Sequence, residues 1–215
     1  MLNYRKYKDN PTLPPDKLIV MFHGYGSNKD DLIHISPELS QFAPNALFLS
    51  PESPFHFEGR KKSKAKQWFS LHNRSKDTLL NEIKIIEPYV THFIAEQLKK
   101  YNISDDNLCL LGFSQGTILS LHLVMQELIK PKLVIGYSGK ILCNYYRCGN
   151  DYKKTKIMLI HGKDDNIISS EETLSATKEL REYGFNTQNF ISNNLGHGID
   201  SNGINISGKF LQDHF

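Results

Sequence analysis

Apolar residues in this chain fall into short unbroken runs, separated by longer stretches with helical spacing. Residues 17–22 (Lys-Leu-Ile-Val-Met-Phe), 46–50, 108–111, 131–136 and 156–160 each have the length and bounding turn residues of a buried strand. Residues 187–191 form a more polar, edge-like strand. Between them the apolar spacing changes to that of helices. Leu32, Ile33 and Ile35 predict a helix that begins near Asn28, breaks or restarts about Pro37 and ends by Phe42. Leu79, Ile83, Ile86, Val90, Phe93, Ile94 and Leu98 share one face of a long helix over 78–101. Pro88 within it predicts a kink or a frayed start. Residues 117–129 read as a buried helix and 169–183 as a helix opened by Ser169, Ser170 and Glu172. Residues 201–214 read as a terminal helix that Gly203 and Gly208 weaken.

Strands that are apolar throughout, with no internal alternation, are buried on both faces. Their alternation with helices predicts an α/β fold with a mostly parallel central sheet and helices on both faces. No repeat or composition shift divides the 215 residues, so the chain reads as a single domain. Residues 1–16 read as an N-terminal extension or edge strand. Over 53–77 the periodicity dissolves, which predicts a lid-like loop segment.

Composition mainly excludes. A hydrophobic share of 39%, a charged share of 23% and a net charge of +3 are ordinary for a globular protein and give no argument for nucleic acid. No apolar run approaches the ~18 residues of a membrane span. The polar start lacks the apolar stretch of a secretory signal, so a cytoplasmic location is expected. In that compartment Cys143 and Cys148 are expected as thiols, although they could bridge a loop. Cys109, inside an apolar strand, is expected in the core.

The candidate chemistry sits at strand ends, where open α/β sheets place their sites. Gly112-Phe113-Ser114-Gln115-Gly116 is a G-x-S-x-G pattern between a strand and a helix, the context of a nucleophile elbow. Ser114 needs a base to take its proton, and His197, flanked by Gly196 and Gly198, is the best candidate. The base needs an acid to hold its tautomer, and either Asp164 or Asp165 is suitably placed. Backbone amides of Gln115, at the start of the helix, and of Tyr25, in the glycine turn His23-Gly24-Tyr25-Gly26, would bind an oxyanion. His23 and His161, each opening a His-Gly pair after a strand, suit hydrogen bonds to loop backbone. No ligand spacing supports a metal, and no cofactor is needed. The basic run of Arg60, Lys61, Lys62, Lys64 and Lys66 reads as a solvated loop, with weak contact to anionic membrane as the functional alternative. Trp68 and Phe69 beside it suit an acyl pocket, or packing for one of the two.

Together these segments make the chain resemble the phospholipase/carboxylesterase group of α/β-hydrolases, which includes acyl-protein thioesterases and small bacterial carboxylesterases. The resemblance runs from about Leu18 to the end of the chain. It rests on His23-Gly24-Tyr25-Gly26, Gln67-Trp68-Phe69, the elbow, His161-Gly162 with Asp165, and Gly196-His197-Gly198. It implies an α/β-hydrolase fold without a large cap domain. It also implies Ser114 as nucleophile, His197 as base, and Tyr25 and Gln115 as oxyanion donors. The family's acid is followed by one residue and two β-branched apolar residues. Asp165, with Asn166 and then Ile167-Ile168, fits that place, so Asp165 is implied over Asp164. Asn166 departs from the proline usual there. The implied reaction is hydrolysis of short-to-medium acyl esters through an acyl-enzyme, with lysophospholipid or S-acylated protein as alternative substrates. The chain is expected to be a monomer or a homodimer.

Overall fold

The computed structural model describes residues 2–59, 64–142 and 149–215. Arg60, Lys61 and Lys62 of the basic run, together with Cys143 and Cys148, therefore lie outside the described residues.

Seven strands form one sheet: β1 (Tyr4–Tyr7), β2 (Lys17–Phe22), β3 (Ala46–Pro51), β4 (Leu108–Phe113), β5 (Leu133–Tyr137), β6 (Lys156–Gly162) and β7 (Asn186–Ser192). Their spatial order is β1-β3-β2-β4-β5-β6-β7. All pairings are parallel except that of β1, which runs antiparallel along β3. The N-terminal segment thus supplies an edge strand. β7 forms the opposite edge, and its polar composition suits the exposure it meets there.

The helices are α1 (Ser36–Ser40), α2 (Lys76–Tyr101), α3 (Gln115–Met125), α4 (Glu171–Glu182) and α5 (Ser201–His214). One face of the sheet packs a core drawn from α2, α3 and α4, including Ile83, Phe93, Leu119 and Leu180. The other packs Leu39 of α1 and Ile204, Phe210 and Leu211 of α5. Both faces are therefore covered, as the all-apolar strands require. Among the described residues there is no second domain, and no helix is long and apolar enough to cross a membrane.

Several boundaries differ from those expected. The first helix is a 3-10 turn (Leu32–Ile35) followed by a single α-helical stretch in which Pro37 occupies the first turn, where its missing N–H costs nothing. α2 continues past the Pro88 position and does not start there, because Ser75 caps it by accepting from the Thr78 amide. α3 stops at Met125, four residues before the expected end, where Glu127 takes a left-handed φ of 58°. Gly208 does not break α5. A Cβ there would come within 2.3 Å of the Phe42 ring, so the glycine allows the helix to lie close. Cys109 is wholly buried, and burial pushes its thiol well above the usual range.

The chain moves from β2 to one side, to β3, and then returns past β2 to β4. Neighbouring strands β2 and β4 thus have their connections leaving in opposite directions, which opens a crevice at their carboxyl ends. Phe22 and Gly112 are register partners there, so the His23 turn and Ser114 leave the sheet side by side.

Candidate active site

Ser114 stands between β4 and α3 with φ 53° and ψ −112°, a conformation that side chains rarely adopt. The two flanking glycines make that turn possible in different ways. A Cβ on Gly112 would meet the Gly116 carbonyl carbon at 2.3 Å, across the turn. A Cβ on Gly116 would meet the Phe22 carbonyl oxygen at 1.9 Å, a clash with β2 and not with the turn. Gly116 therefore sets how closely α3 approaches the neighbouring strand.

The Ser114 hydroxyl lies 3.0 Å from His197 Nε2, and His197 Nδ1–H donates to Asp165 Oδ2 at 2.6 Å. The carboxylate fixes the ring so that Nε2 faces the serine with a free lone pair. Of the aspartate doublet only Asp165 faces inward, its side chain fully buried; Asp164 is exposed. Burial opposes ionisation of Asp165. Hydrogen bonds from the Ile168 amide, His197 and the Ile167 amide more than offset it, holding the carboxyl below the usual range.

Asp165 has a second histidine on it. His161 Nε2 lies 3.1 Å from Asp165 Oδ2 and 2.9 Å from the Ile168 carbonyl. Both partners only accept, so Nε2 carries the proton, and the Thr173 hydroxyl donates to Nδ1 at 2.7 Å. The His-Gly pair after β6 signalled this residue in the sequence, but not its partner.

Tyr25 and Gln115 both border the serine. Neither of their amides has an acceptor among the described residues, whereas the Ser114 amide is already bonded to the Tyr137 carbonyl at 2.8 Å. The Gln115 side chain faces the other way. It accepts the Trp68 amide at 2.7 Å and donates to the Phe69 carbonyl at 2.8 Å, latching the 64–71 segment to α3. That segment also pairs through Lys66 with Gly26 and Ser27. A further clamp is Glu58, which accepts from Tyr25, Ser70, Gln67 and the Leu71 amide. Burial opposes its charge, and these four bonds nevertheless bring its carboxyl down to about 2. Tyr25, through burial and its bond to Glu58, is raised to about 12.

The two aromatic candidates part company. Phe69 lines the groove over Ser114. Trp68 does not. It is fully buried, edge-on to Phe22 and stacked on His23 at 4.8 Å, with its indole N–H on the His23 carbonyl. The chain bends at both residues, and the bend turns Trp68 into the core while Phe69 faces the groove. His23 is itself enclosed. Burial lowers it to about 4, partly opposed by its bond to the Gly24 carbonyl, and its Nε2 accepts the Ser53 amide.

The groove holds about 300 Å³ and is walled by Phe69, Leu71, Leu79, Phe113, Ile118 and the Ile167-Ile168 pair. Arg74 and Lys140 also line it, and nothing in their local sequence marked them. Among the described residues no group of three or more His, Cys, Asp or Glu side chains could hold a metal ion.

The family model described as Phospholipase/Carboxylesterase matches residues 9–215. Esterase YpfH of Escherichia coli is 27% identical over 205 residues, covering 95% of this chain and 84% of that protein. Acyl-protein thioesterase 1 of Aspergillus fumigatus is 32% identical over 130 residues, 58% of this chain and 54% of its own. Among solved structures, esterase PE8 superposes with a TM-score of 0.86 at 23% identity, over 100% of this chain and 99% of that one.

Proposed function

The chain belongs to the phospholipase/carboxylesterase family of α/β-hydrolases and is a serine hydrolase of the esterase or thioesterase type; on that premise we propose that it is a carboxylesterase acting on short-to-medium acyl esters through Ser114, His197 and Asp165. The observation that carries this reading is the unbroken line of hydrogen bonds from Asp165 through His197 to Ser114, at 2.6 and 3.0 Å.

In the proposed reaction His197 Nε2 takes the Ser114 proton as Oγ attacks the ester carbonyl. The imidazolium is stabilised by Asp165, which stays ionised. The developing oxyanion is held by the free amides of Tyr25 and Gln115. His197 then protonates the departing alkoxide or thiolate, leaving the acyl group on Ser114. Water, deprotonated by the same nitrogen, attacks the acyl-enzyme and releases the acid. A groove of about 300 Å³ lies at the small end of ligand pockets and supports a short or medium chain.

A second reading, a lysophospholipase or acyl-protein thioesterase, is favoured by the likeness to a fungal protein named acyl-protein thioesterase. A fluorophosphonate probe should label the wild type, and Ser114→Ala should lose both labelling and p-nitrophenyl ester turnover. Ester turnover surviving in that variant would refute the assignment. Turnover of acetate, octanoate and palmitate esters separates the two readings: a maximum at palmitate would favour the second.

A further inference from the structure

The groove carries two positive charges that ester hydrolysis as such does not need. Arg74 reaches it from the turn before α2, and Lys140 from the segment after β5. They are far apart in sequence, so their meeting is a product of the fold and not of a local basic run. Among the described residues no aspartate or glutamate lines the groove. Two carboxylates lie behind the lining: Asp165, with its side chain fully buried and both oxygens engaged, and Glu58, whose oxygens are taken up by Tyr25, Ser70, Gln67 and the Leu71 amide. Among the described residues neither Arg74 nor Lys140 is ion-paired, although the same chain pairs Arg5, Lys17, Lys29 and Lys154 with carboxylates elsewhere.

Two cations without an ion-pair partner among the described residues, set beside mostly apolar walls, outweigh the one carboxylate of Glu58 behind Tyr25 and place a positive potential in the space the substrate must occupy. A cationic ester would be repelled there, and a neutral one would gain nothing from it. An anionic group would find a planar guanidinium, which suits carboxylate and phosphate oxygens, and a compact ammonium.

We propose that the ester or thioester this groove accepts bears a net negative charge, as a carboxylate or a phosphate, held by Arg74 and Lys140. The inference rests on Ser114 being the nucleophile, and the anionic group takes no part in the bond changes.

Two matched ester pairs test it. In the first, the mono-p-nitrophenyl ester of glutaric acid is compared with p-nitrophenyl pentanoate, so that the charge is a carboxylate on the acyl side. In the second, 4-(phosphonooxy)phenyl pentanoate is compared with phenyl pentanoate, so that the charge is a phosphate on the leaving group. For at least one pair the anionic ester should have the higher kcat/KM in the wild type, and that pair identifies the source of the charge. The anionic-to-neutral ratio should fall by about five-fold in Arg74→Gln or Lys140→Met, the yield of one partly exposed ion pair. It should also shrink as salt rises. Arg74→Lys and Lys140→Arg, which keep the charge, should keep most of the ratio and so separate charge from folding. Ratios at or below one in the wild type for both pairs, or ratios unmoved by both neutralising variants, overturn the inference while leaving the esterase reading intact. Failure of the wild type to turn over any of the four esters overturns that reading and the inference together.

Discussion

The side-chain carbonyl of Gln115 accepts the backbone amide of Trp68 at 2.7 Å, across 47 positions of sequence. One residue thus borders the Ser114 groove, its amide without an acceptor among the described residues, while its side chain holds the segment that forms the groove wall. Gln115→Ala keeps the first function and removes the second, leaving the buried Trp68 N–H and Phe69 carbonyl unpaired. Stability should drop by about 2 kcal/mol, and esterase kcat/KM by about ten-fold as the wall loosens. Thermal melts and ester kinetics read both. An unchanged melting temperature would show that the latch contributes nothing.

The aspartate doublet offers a control within the molecule. Asp165→Asn should lower kcat by roughly 10³–10⁴, because the amide can no longer hold His197 in the tautomer that faces Ser114. Asp164→Asn, at an exposed position, should stay within about two-fold of wild type. Equal losses in the two variants would contradict the geometry.

His161 shares Asp165 Oδ2 with His197, so it is expected to act as a positioning residue through that carboxylate. Replacing it with leucine removes the N–H that Asp165 Oδ2 and the Ile168 carbonyl share. The expected result is a fall in kcat of about ten-fold together with a rise in KM, since the loop that carries Asp165 also carries the Ile167-Ile168 wall of the groove. His161→Gln can place an N–H near the same point and should recover most of the loss. If the two variants lose stability alike and neither changes kcat, His161 is only a core residue.

His23 makes stability depend on acid. Its folded value of about 4 lies below the ordinary 6.5, so below pH 6.5 the unfolded chain takes up a proton that the folded chain refuses. Stability therefore falls as pH drops from 6.5 to about 4 and loses nothing further from this group below that. The full effect is roughly 3 kcal/mol. His23→Asn can keep a donor near the Gly24 carbonyl without titrating. Denaturant melts across that range should show the wild type losing more stability than the variant, and parallel losses would exclude His23 as the cause.

Much of the fold was legible in the sequence because its signals are local. Strands buried on both faces leave unbroken apolar runs such as 17–22, and α2 keeps one apolar face from Leu79 onward. Ser114 was equally visible, since only glycine fits at positions 112 and 116 around its strained turn. Element ends were less so. The end of α3 depends on one left-handed residue, Glu127, whose side chain gives no warning of it.

What the chain order could not decide was direction in space. Asp164 and Asp165 are chemically the same, and bare chemistry left them equal until family pattern favoured one; it is the turn after β6 that buries one and exposes the other. Trp68 and Phe69 are neighbours with similar surfaces, yet the bent backbone there sends one into the core against His23 and the other to the groove. Arg74 and Lys140 look like any surface cations until the fold brings two distant segments to one cavity. Periodicity and glycines report on backbone conformation a few residues at a time, whereas pairing, burial and shared cavities are set by contacts between elements that the sequence keeps far apart.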